Sequence, residues 1–194
     1  YRGQPYWARP LPGFGDPRAR VLVVGLAPAS HGGNRTGRMF TGDRSGDWLF
    51  RALYEAGFAN RPESVSARDG LRLSGAYITA TLRCAPPANK PLPSEMARCQ
   101  PFLLEELRLL RRVRVIVALG KIGWDGYLRA RRALGQPVPK PLPRFGHGAL
   151  ARMPDGMVLL GSFHPSQQNT FTGKLTRAML RRVFVRAGAI GVRS

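Results

Sequence analysis

The chain has few cysteines, few acidic residues and no long apolar run. Its two cysteines, Cys84 and Cys99, are too few for a disulfide scaffold, so we expect an intracellular, reduced protein. No apolar run approaches the roughly 18 residues that a membrane-spanning helix needs, and no signal-peptide pattern opens the chain. We therefore expect a cytoplasmic protein with no membrane partner.

The fingerprints of common nucleotide sites are also missing. The segment Gly25–Ala29 follows an apolar run, but it has neither the Gly and Lys spacing of a Walker loop nor that of a dinucleotide-binding turn. Such a tight turn can present backbone N–H groups to a planar or anionic ligand, or it is an ordinary strand-to-loop turn with no special role.

The shortage of acidic residues gives the chain a large positive charge. It has 31 Lys and Arg residues against 11 Asp and Glu, a formal net charge of +20. Such a surface indicates a polyanionic partner, nucleic acid first. A genome biased toward Arg codons would explain Arg in place of Lys, but not the scarcity of acids. Because the basic residues are scattered along the chain, we expect a basic face on a folded domain.

Apolar and polar periodicity predicts one α/β domain over residues 1–194. The predicted strands are 20–26, 76–82, 113–119 and 157–163, and the predicted helices are 46–56, 101–111, one after Gly120, and 176–187. Ser45 is predicted to cap the first helix, and Pro101 to interrupt a short helical turn that starts at Ser94. The alternation predicts a three-layer α/β/α sandwich around a four-stranded, mainly parallel sheet.

The remaining segments are predicted to be irregular. Residues 1–19 should form an arm, and since the chain begins with Tyr1 rather than Met, we expect further residues upstream. The predicted loop 27–44 is long enough to indicate a function.

Residues with useful chemistry follow the predicted strand ends. The carboxyl ends of parallel strands meet at one edge of a sheet, which brings His164 and the Gly25–Ala29 turn together. A histidine there can donate to an oxygen that becomes negative, although a structural role is commoner for a single histidine. Phe40 is an aromatic residue among glycines. It could stack on a base, or it could be a hydrophobic side chain that holds its loop in place. Asp43 is a spare carboxylate for which a loop or cap role is favoured.

Taken together, these segments resemble the uracil-DNA glycosylase superfamily, most closely its family 5, the B-type enzymes. The matching segments, in the family's order and spacing, are Gly25–Ala29, His31–Asp43, Ile78–Pro87, Asn89–Pro91 and His164–Asn169. Each motif alone is weak, but the set is specific and covers nearly the whole chain. The resemblance implies a monomeric, monofunctional repair glycosylase of prokaryotic type, associated with the nucleoid through DNA. Such an enzyme flips uracil out of DNA and hydrolyses the N-glycosidic bond to leave an abasic site, with hypoxanthine or xanthine as further substrates.

The resemblance also implies roles for individual residues. His164 would stabilise charge on uracil O2, and Asn34 would orient the attacking water. The expected base pocket consists of Gly25, Leu26, Ala27, Phe40 and Ala80, with Phe40 stacking on the base. The residues expected to contact DNA are Ser30, His31, Lys90, Pro165, Ser166, Gln167 and Asn169, the last four within a loop that presses into the duplex.

The chain departs from the superfamily pattern at two points. Ala27 stands where many members carry a carboxylate or Asn that positions water, and Asn34 can orient water but not accept its proton. Ala80 stands where others read the uracil edge with Asn, so we expect relaxed base specificity. Cleavage through an oxocarbenium-like cation, with the uracil anion held by His164, needs no strong base.

The resemblance further implies a 4Fe-4S cluster with a structural role near DNA, beside the Pro86–Pro91 loop. Cys84 and Cys99 match its last two ligands, and the first two would lie upstream of Tyr1. Considered without the resemblance, the two cysteines lack the close CxxC partners of a zinc site and are expected to be buried core thiols.

Three alternatives remain at this stage. The absent polar group at Ala27 favours a non-catalytic, damage-sensing DNA-binding module, which an assay for abasic sites would distinguish. A relative that forms a covalent adduct with DNA through a histidine would leave a persistent band on denaturing gels. An α/β enzyme acting on a small anionic metabolite would lack a steep salt dependence of DNA affinity.

Overall fold

The computed structural model describes residues 1 and 3–193, with a six-stranded sheet at its centre. The strands are β1 (Phe14–Gly15), β2 (Val21–Gly25), β3 (Ala76–Ala80), β4 (Val115–Leu119), β5 (Leu150–Arg152) and β6 (Val158–Ser162). They lie in the order β1-β3-β2-β4-β6-β5. The four predicted strands correspond to β3, β2, β4 and β6, which run parallel, and the short strands β1 and β5 pair antiparallel at the two edges.

Helices cover both faces of the sheet, which confirms the α/β class and the three-layer sandwich. They are α1 (Gly33–Thr36), α2 (Arg44–Glu55), α3 (Pro93–Leu109), α4 (Lys121–Ala133), α5 (Gln167–Phe171) and α6 (Arg177–Arg193), with a 3₁₀ turn at Pro87–Asn89. Within the described part of the chain, no helix is both long and apolar enough to cross a membrane.

The central strands are buried on both faces because their residues are apolar at successive positions. In β2, Val21 and Val23 belong to the core that includes residues of α2 and α6, such as Phe50 and Phe184. The alternate residues of β2 belong to a second core, which includes Trp124 of α4. Side chains that alternate between two apolar layers therefore fix this strand at the middle of the molecule.

The start of α2 differs from the sequence prediction. Asp43 has an extended backbone (φ −140°, ψ 164°), and its side chain accepts a hydrogen bond from the Gly46 N–H. Ser45 lies inside the helix, so the prediction that Ser45 is the cap was wrong. Both residue types cap helices well, and the backbone conformation decided between them.

Two other helices are longer than predicted. α3 continues through Pro101, because Pro101 and Ala97 are both exposed. The Ala97 carbonyl, which loses its helical N–H partner at Pro101, can instead accept a hydrogen bond from water. α6 extends to Arg193. Within this added part of the helix, the Gly191 carbonyl accepts a hydrogen bond from Arg20 at 2.8 Å.

Candidate active site

Loops after β2 and β6 meet at the carboxyl edge of the sheet around a cavity of about 660 Å³. From β2 the chain passes first to β3, on one side of β2, and later to β4, on the other side. Crevices at such switch points bind ligands in α/β proteins. The cavity is lined by Leu26, Ala27, Ala29, Phe40, Asp43, Arg44, Ser45, Asn89, His164, Ser166, Gln167 and Gln168. The strand-end loops singled out in the sequence therefore do converge.

Phe40 and His164 are neighbours in this cavity. Their ring centroids lie 5.8 Å apart, with a tilt of 32° between the planes. Phe40 has a φ of +54°, a left-handed conformation that residues with side chains rarely adopt. A Cβ added at Gly25 would lie 2.8 Å from Phe40 Cζ, so only glycine at the end of β2 leaves room for the ring.

A buried ion pair holds the loop that carries Phe40. The guanidinium of Arg38 donates to Asp69 at 2.8 Å and to Ser64 Oγ at 3.0 Å, and both charged side chains are about 5% exposed. Burial alone would raise the pKa of Asp69, but hydrogen bonds from the Leu71 N–H and from Arg38 lower it to about 2. Asp69 is therefore ionised at neutral pH, and the pair anchors the chain two residues before Phe40.

His164 follows β6 and carries a neutral ring at neutral pH. Burial lowers the pKa of His164 to about 4. Its backbone carbonyl accepts a hydrogen bond from Asn169 Nδ2 at 2.9 Å, which ties the loop after β6 to the first residues of α5. Among residues 1 and 3–193, no group hydrogen-bonds the imidazole nitrogens, so the ring N–H is available to an oxygen that gains negative charge in the cavity.

A second cavity, of about 600 Å³, adjoins the first and shares five of its lining residues: Ala29, Asp43, Arg44, Asn89 and Gln167. Ser30 and His31 also line it. His31 Nδ1 lies 2.6 Å from the Tyr6 hydroxyl, and its ring stacks on Tyr1. The shared lining makes the two cavities neighbouring parts of one surface depression.

Four cations lie over aromatic rings at residues that line these cavities or are next to the lining in sequence, one of them Arg35, whose guanidinium is 4.5 Å from the ring centroid of Tyr1. The guanidinium of Arg44 is 4.6 Å from the ring centroid of Phe171, which is 65% exposed. Two further pairs are Lys174 with Phe163, at 4.8 Å, and Arg177 with Trp48, at 5.5 Å. Basic groups interleaved with aromatic rings are typical of surfaces that bind nucleic acid.

Most of the predicted base pocket lies at the cavity. Leu26, Ala27 and Phe40 line it, and Gly25 packs against Phe40. Ala80 does not line it: this residue is 1% exposed and belongs to the hydrophobic core. Contact between Ala80 and a bound base is therefore not supported by its position.

Asn34 also lies outside the cavity lining. It belongs to the short helix α1, where its N–H donates to the Ala29 carbonyl at 3.1 Å and its carbonyl accepts from the Ala8 N–H at 3.4 Å. These contacts give Asn34 a place in the loop fold. They do not bring it to His164 or Phe40.

The residues predicted to contact DNA divide into two groups. Ser30, His31, Ser166 and Gln167 line one or both cavities. Pro165 is buried, Asn169 bonds the His164 carbonyl, and Lys90 is exposed but outside the lining. Buried or internally bonded side chains have little surface left for DNA.

Asn89 and Arg44 line the larger cavity beside predicted residues, although neither was predicted from the sequence as a site residue; Gln168 also lines it, within the loop Pro165–Asn169 that was expected to press into the duplex. Asn89 has a φ of +56° within the turn after Pro86. Its position inside the segment Asn89–Pro91 was the available signal, but nothing local distinguishes Asn89 from Lys90 as the residue at the cavity.

Cys84 is exposed and Cys99 half-buried, so the expectation of buried core thiols was wrong. Burial, and after it the charge on Cys99, raise the pKa of Cys84. No group of three or more His, Cys, Asp or Glu residues suited to a metal occurs among residues 1 and 3–193. Two thiols have the donor chemistry of half of a four-cysteine cluster site.

Comparison with known proteins identifies the family. The model of the uracil DNA glycosylase superfamily matches residues 12–187. A type-5 uracil-DNA glycosylase of Mycobacterium bovis is 55% identical over 95% of this chain and 68% of its own length. The type-5 enzyme of Thermus thermophilus is 52% identical, with 96% of this chain and 83% of the relative covered.

A solved structure supports the fold. A protein from Methanosarcina acetivorans, solved in solution by NMR, matches with a TM-score of 0.52 at 13% identity, over 93% of this chain and 98% of the other. At that identity the likeness concerns architecture alone. The family model and the type-5 relatives go further, and by them the chain belongs to the uracil DNA glycosylase superfamily and, within it, to the type-5 family.

Proposed function

We propose that this protein excises uracil from DNA by hydrolysing the N-glycosidic bond. The observation that carries the proposal is the juxtaposition of Phe40 with a neutral His164 in the strand-end cavity. Type-5 relatives that share about half of its residues are named uracil-DNA glycosylases. In this proposal a uracil extruded from DNA stacks on Phe40 and accepts a hydrogen bond from His164.

The chemistry required of the cavity is mainly electrostatic. When the bond between C1′ and N1 breaks, its electron pair passes to the uracil ring and spreads onto O2, while the sugar becomes cation-like. A neutral imidazole N–H directed at O2 stabilises that anion. The phosphates of the DNA stabilise the sugar cation.

The charge of the chain supports DNA as the partner. A net charge of +20 attracts a polyanion, and Arg44 lines both cavities with its guanidinium over the exposed Phe171. Cations close to the cavity bind phosphates, and exposed rings stack on unpaired bases. Both interactions would hold an extruded nucleotide at the cavity.

We also propose that the cavity accepts other deaminated bases, such as hypoxanthine and xanthine. Leu26 and Ala27 form an apolar part of its lining. A site rejects a wrong base most strongly when that base leaves buried polar groups unpaired. An apolar wall imposes little of this penalty, so several bases would be tolerated.

A third part of the proposal concerns Cys84 and Cys99. We propose that they supply two thiolate ligands to a 4Fe-4S cluster whose other two ligands lie outside this chain. The cluster would act as a structural cross-link next to the 3₁₀ turn at Pro87–Asn89. In a chain extended upstream of Tyr1, we expect bound iron and visible absorption, both lost in Cys84→Ser. An extended chain without iron would contradict this part alone.

The test of the main proposal uses oligonucleotides that each carry one uracil, hypoxanthine or xanthine. We expect release of the free base and an alkali-labile site from the uracil substrate, with a strongly reduced rate in His164→Ala. Protein that binds the uracil oligonucleotide but releases no base from it would contradict the proposal and favour a damage-sensing binder. Release from uracil alone would contradict only the broad base range.

A further inference from the structure

We propose that His147 is a positioning residue for His164, an inference that rests on the proposed excision reaction. His147 is not part of the cavity lining. Its Nδ1 accepts a hydrogen bond from the N–H of Phe163 at 3.2 Å, and Phe163 is the residue directly before His164. His147 therefore acts on the proposed donor through the backbone that carries it.

The direction of the His164 ring depends on its backbone. Among residues 1 and 3–193, no group hydrogen-bonds the imidazole nitrogens, so polar contacts do not hold the ring itself. Side chains instead hold the backbone on both sides. His147 binds the N–H of Phe163, and Asn169 Nδ2 donates to the His164 carbonyl at 2.9 Å. A displacement of about 1 Å at a reacting group can slow a reaction by about 100-fold.

The local structure explains why a side chain is the acceptor at this point. Backbone bonding along β6 reaches Ala149, whose carbonyl accepts a hydrogen bond from the Gly161 N–H at 2.9 Å. At Gly148 the chain turns, with a φ of +73°. Beyond this turn the His147 ring, rather than a backbone carbonyl, accepts the hydrogen bond from Phe163. The ring thus extends the backbone ladder to the residue before His164.

Packing holds the His147 ring in this place. The ring centroids of His147 and Phe163 lie 5.2 Å apart, with a tilt of 36° between the planes. The ammonium of Lys174 lies 4.8 Å from the Phe163 centroid. Gly161 lets the loop approach β6 closely, since an added Cβ would overlap the Gly146 carbonyl oxygen. The position of this loop is therefore transmitted directly to the end of β6.

The bond to Phe163 requires a neutral His147. Nδ1 can accept a hydrogen bond only when the ring carries its one proton on Nε2. Burial, and after it the charge of Arg182, lower the pKa of His147 below its usual 6.5. Two further cations lie near this loop: Lys174 over Phe163, and Arg186, which donates to the Gly148 carbonyl at 3.2 Å. The bond is therefore intact at neutral pH and is lost in weak acid.

The test compares His147→Ala with His147→Asn, whose side-chain Oδ1 can accept the same hydrogen bond. In single-turnover assays on a uracil oligonucleotide at neutral pH, we expect the Ala variant to cleave about 10- to 100-fold more slowly, and the Asn variant to react within about threefold of the parent protein. DNA affinity should stay the same in both variants, because His147 does not line the cavity.

Asp16→Ala is the matched control. It also removes a side-chain acceptor from a backbone N–H, that of Gly75 at 2.8 Å, but at the amino end of β3 and so at the opposite edge of the sheet. We expect this variant to melt at a lower temperature than the parent protein, while its bound complex cleaves at the parent rate.

A pH profile separates positioning from stability. The parent rate should fall as pH drops below about 6.5, because protonation of His147 breaks its bond to the Phe163 N–H. His147→Asn has no titrating group at this position and should keep its rate over the same interval. The titration of His164, with a pKa of about 4, is common to both proteins.

Four outcomes would overturn the inference. His147→Ala that reacts at the parent rate would leave the contact without a part in the reaction. Equal slowing in the Ala and Asn variants, or the same pH profile in the parent protein and His147→Asn, would rule out the Nδ1 acceptor as the cause. Loss of activity only in proportion to loss of folded protein would assign His147 a structural role. Uracil excision by the parent protein would stand in all four cases, whereas parent protein that releases no uracil would remove the proposed function itself.

Discussion

The ring of Phe40 and the imidazole of His164 lie 5.8 Å apart, centroid to centroid, although one belongs to the loop after β2 and the other to the loop after β6. The two residues are far apart in the sequence, so no single helix or turn brings them together. The parallel sheet brings the two strand ends to one edge, and Gly25 leaves space for the aromatic ring. This pair defines the cavity on which the proposed chemistry depends.

Replacing His164 by Ala should slow base release without weakening DNA binding. The neutral ring would contribute mainly when charge develops on the leaving base, and loss of one such donor typically lowers kcat by about 10²- to 10³-fold. Single-turnover rates with uracil DNA, together with the Kd of the variant for the same DNA, check this expectation. A rate close to that of the parent protein would rule out this role for His164.

The low pKa of His164 should make the fold less stable in weak acid. Its pKa is about 4 in the folded state against 6.5 ordinarily, so between these values the unfolded chain holds a proton that the folded chain lacks. The free energy of unfolding should therefore fall as pH drops from about 6.5 towards 4. Urea unfolding of the parent protein and of His164→Gln across this range isolates the effect, because the pKa of His147, lowered by burial and by Arg182, is common to both. If the free energy of unfolding depended on pH in the same way in both proteins, the lowered pKa of His164 would be contradicted.

Enlarging Gly25 should disturb the proposed base platform. The new methyl group of Gly25→Ala would lie 2.8 Å from Phe40 Cζ and would force the ring to move. Stacking of a base on an aromatic ring contributes about 1–3 kcal/mol, so we expect about a 5- to 160-fold loss in kcat/KM for uracil DNA. Gly146→Ala is the control, since its Cβ would meet only an ordinary contact with Ala149. Equal kcat/KM in both variants would argue against stacking on Phe40.

Breaking the Arg38–Asp69 pair should destabilise the fold and the Phe40 loop together. Asp69→Asn leaves a buried guanidinium without its counter-charge, which costs about 3–5 kcal/mol. Urea denaturation should register the loss at pH 7. Because the pKa of Asp69 is about 2 rather than 3.8, the stabilisation should disappear in the parent protein as pH falls through this interval. Glu105→Gln, in an exposed ion pair, should change stability by less than about 1 kcal/mol.

The cations beside the cavities should contribute to salt-sensitive DNA binding. If Arg177 contacts a phosphate, Arg177→Ala should reduce the slope of log K against log salt concentration by about 0.9. Arg108→Ala, on the exposed face of α3, should leave the slope unchanged. Affinity titrations at several salt concentrations distinguish the two variants. An unchanged slope in Arg177→Ala would place the DNA elsewhere.

The amino-acid sequence was sufficient for the four central strands, because β-branched runs bounded by Gly, Pro and polar residues leave few other structures for buried segments. It also identified the side chains with useful chemistry at the strand ends, including Phe40 and His164. The positive charge and the family motifs indicate DNA as the partner without any knowledge of the geometry.

Only the tertiary structure decided which neighbouring side chains face the cavity. It placed Asn89 rather than Lys90 at the lining, and Asp43 rather than Asn34 beside Phe40 and His164. In loops no 2- or 3.6-residue period relates a position to a direction, so side-chain orientation depends on distant contacts such as the Arg38–Asp69 pair. Those contacts join segments far apart in the chain, and no local pattern of residues specifies them.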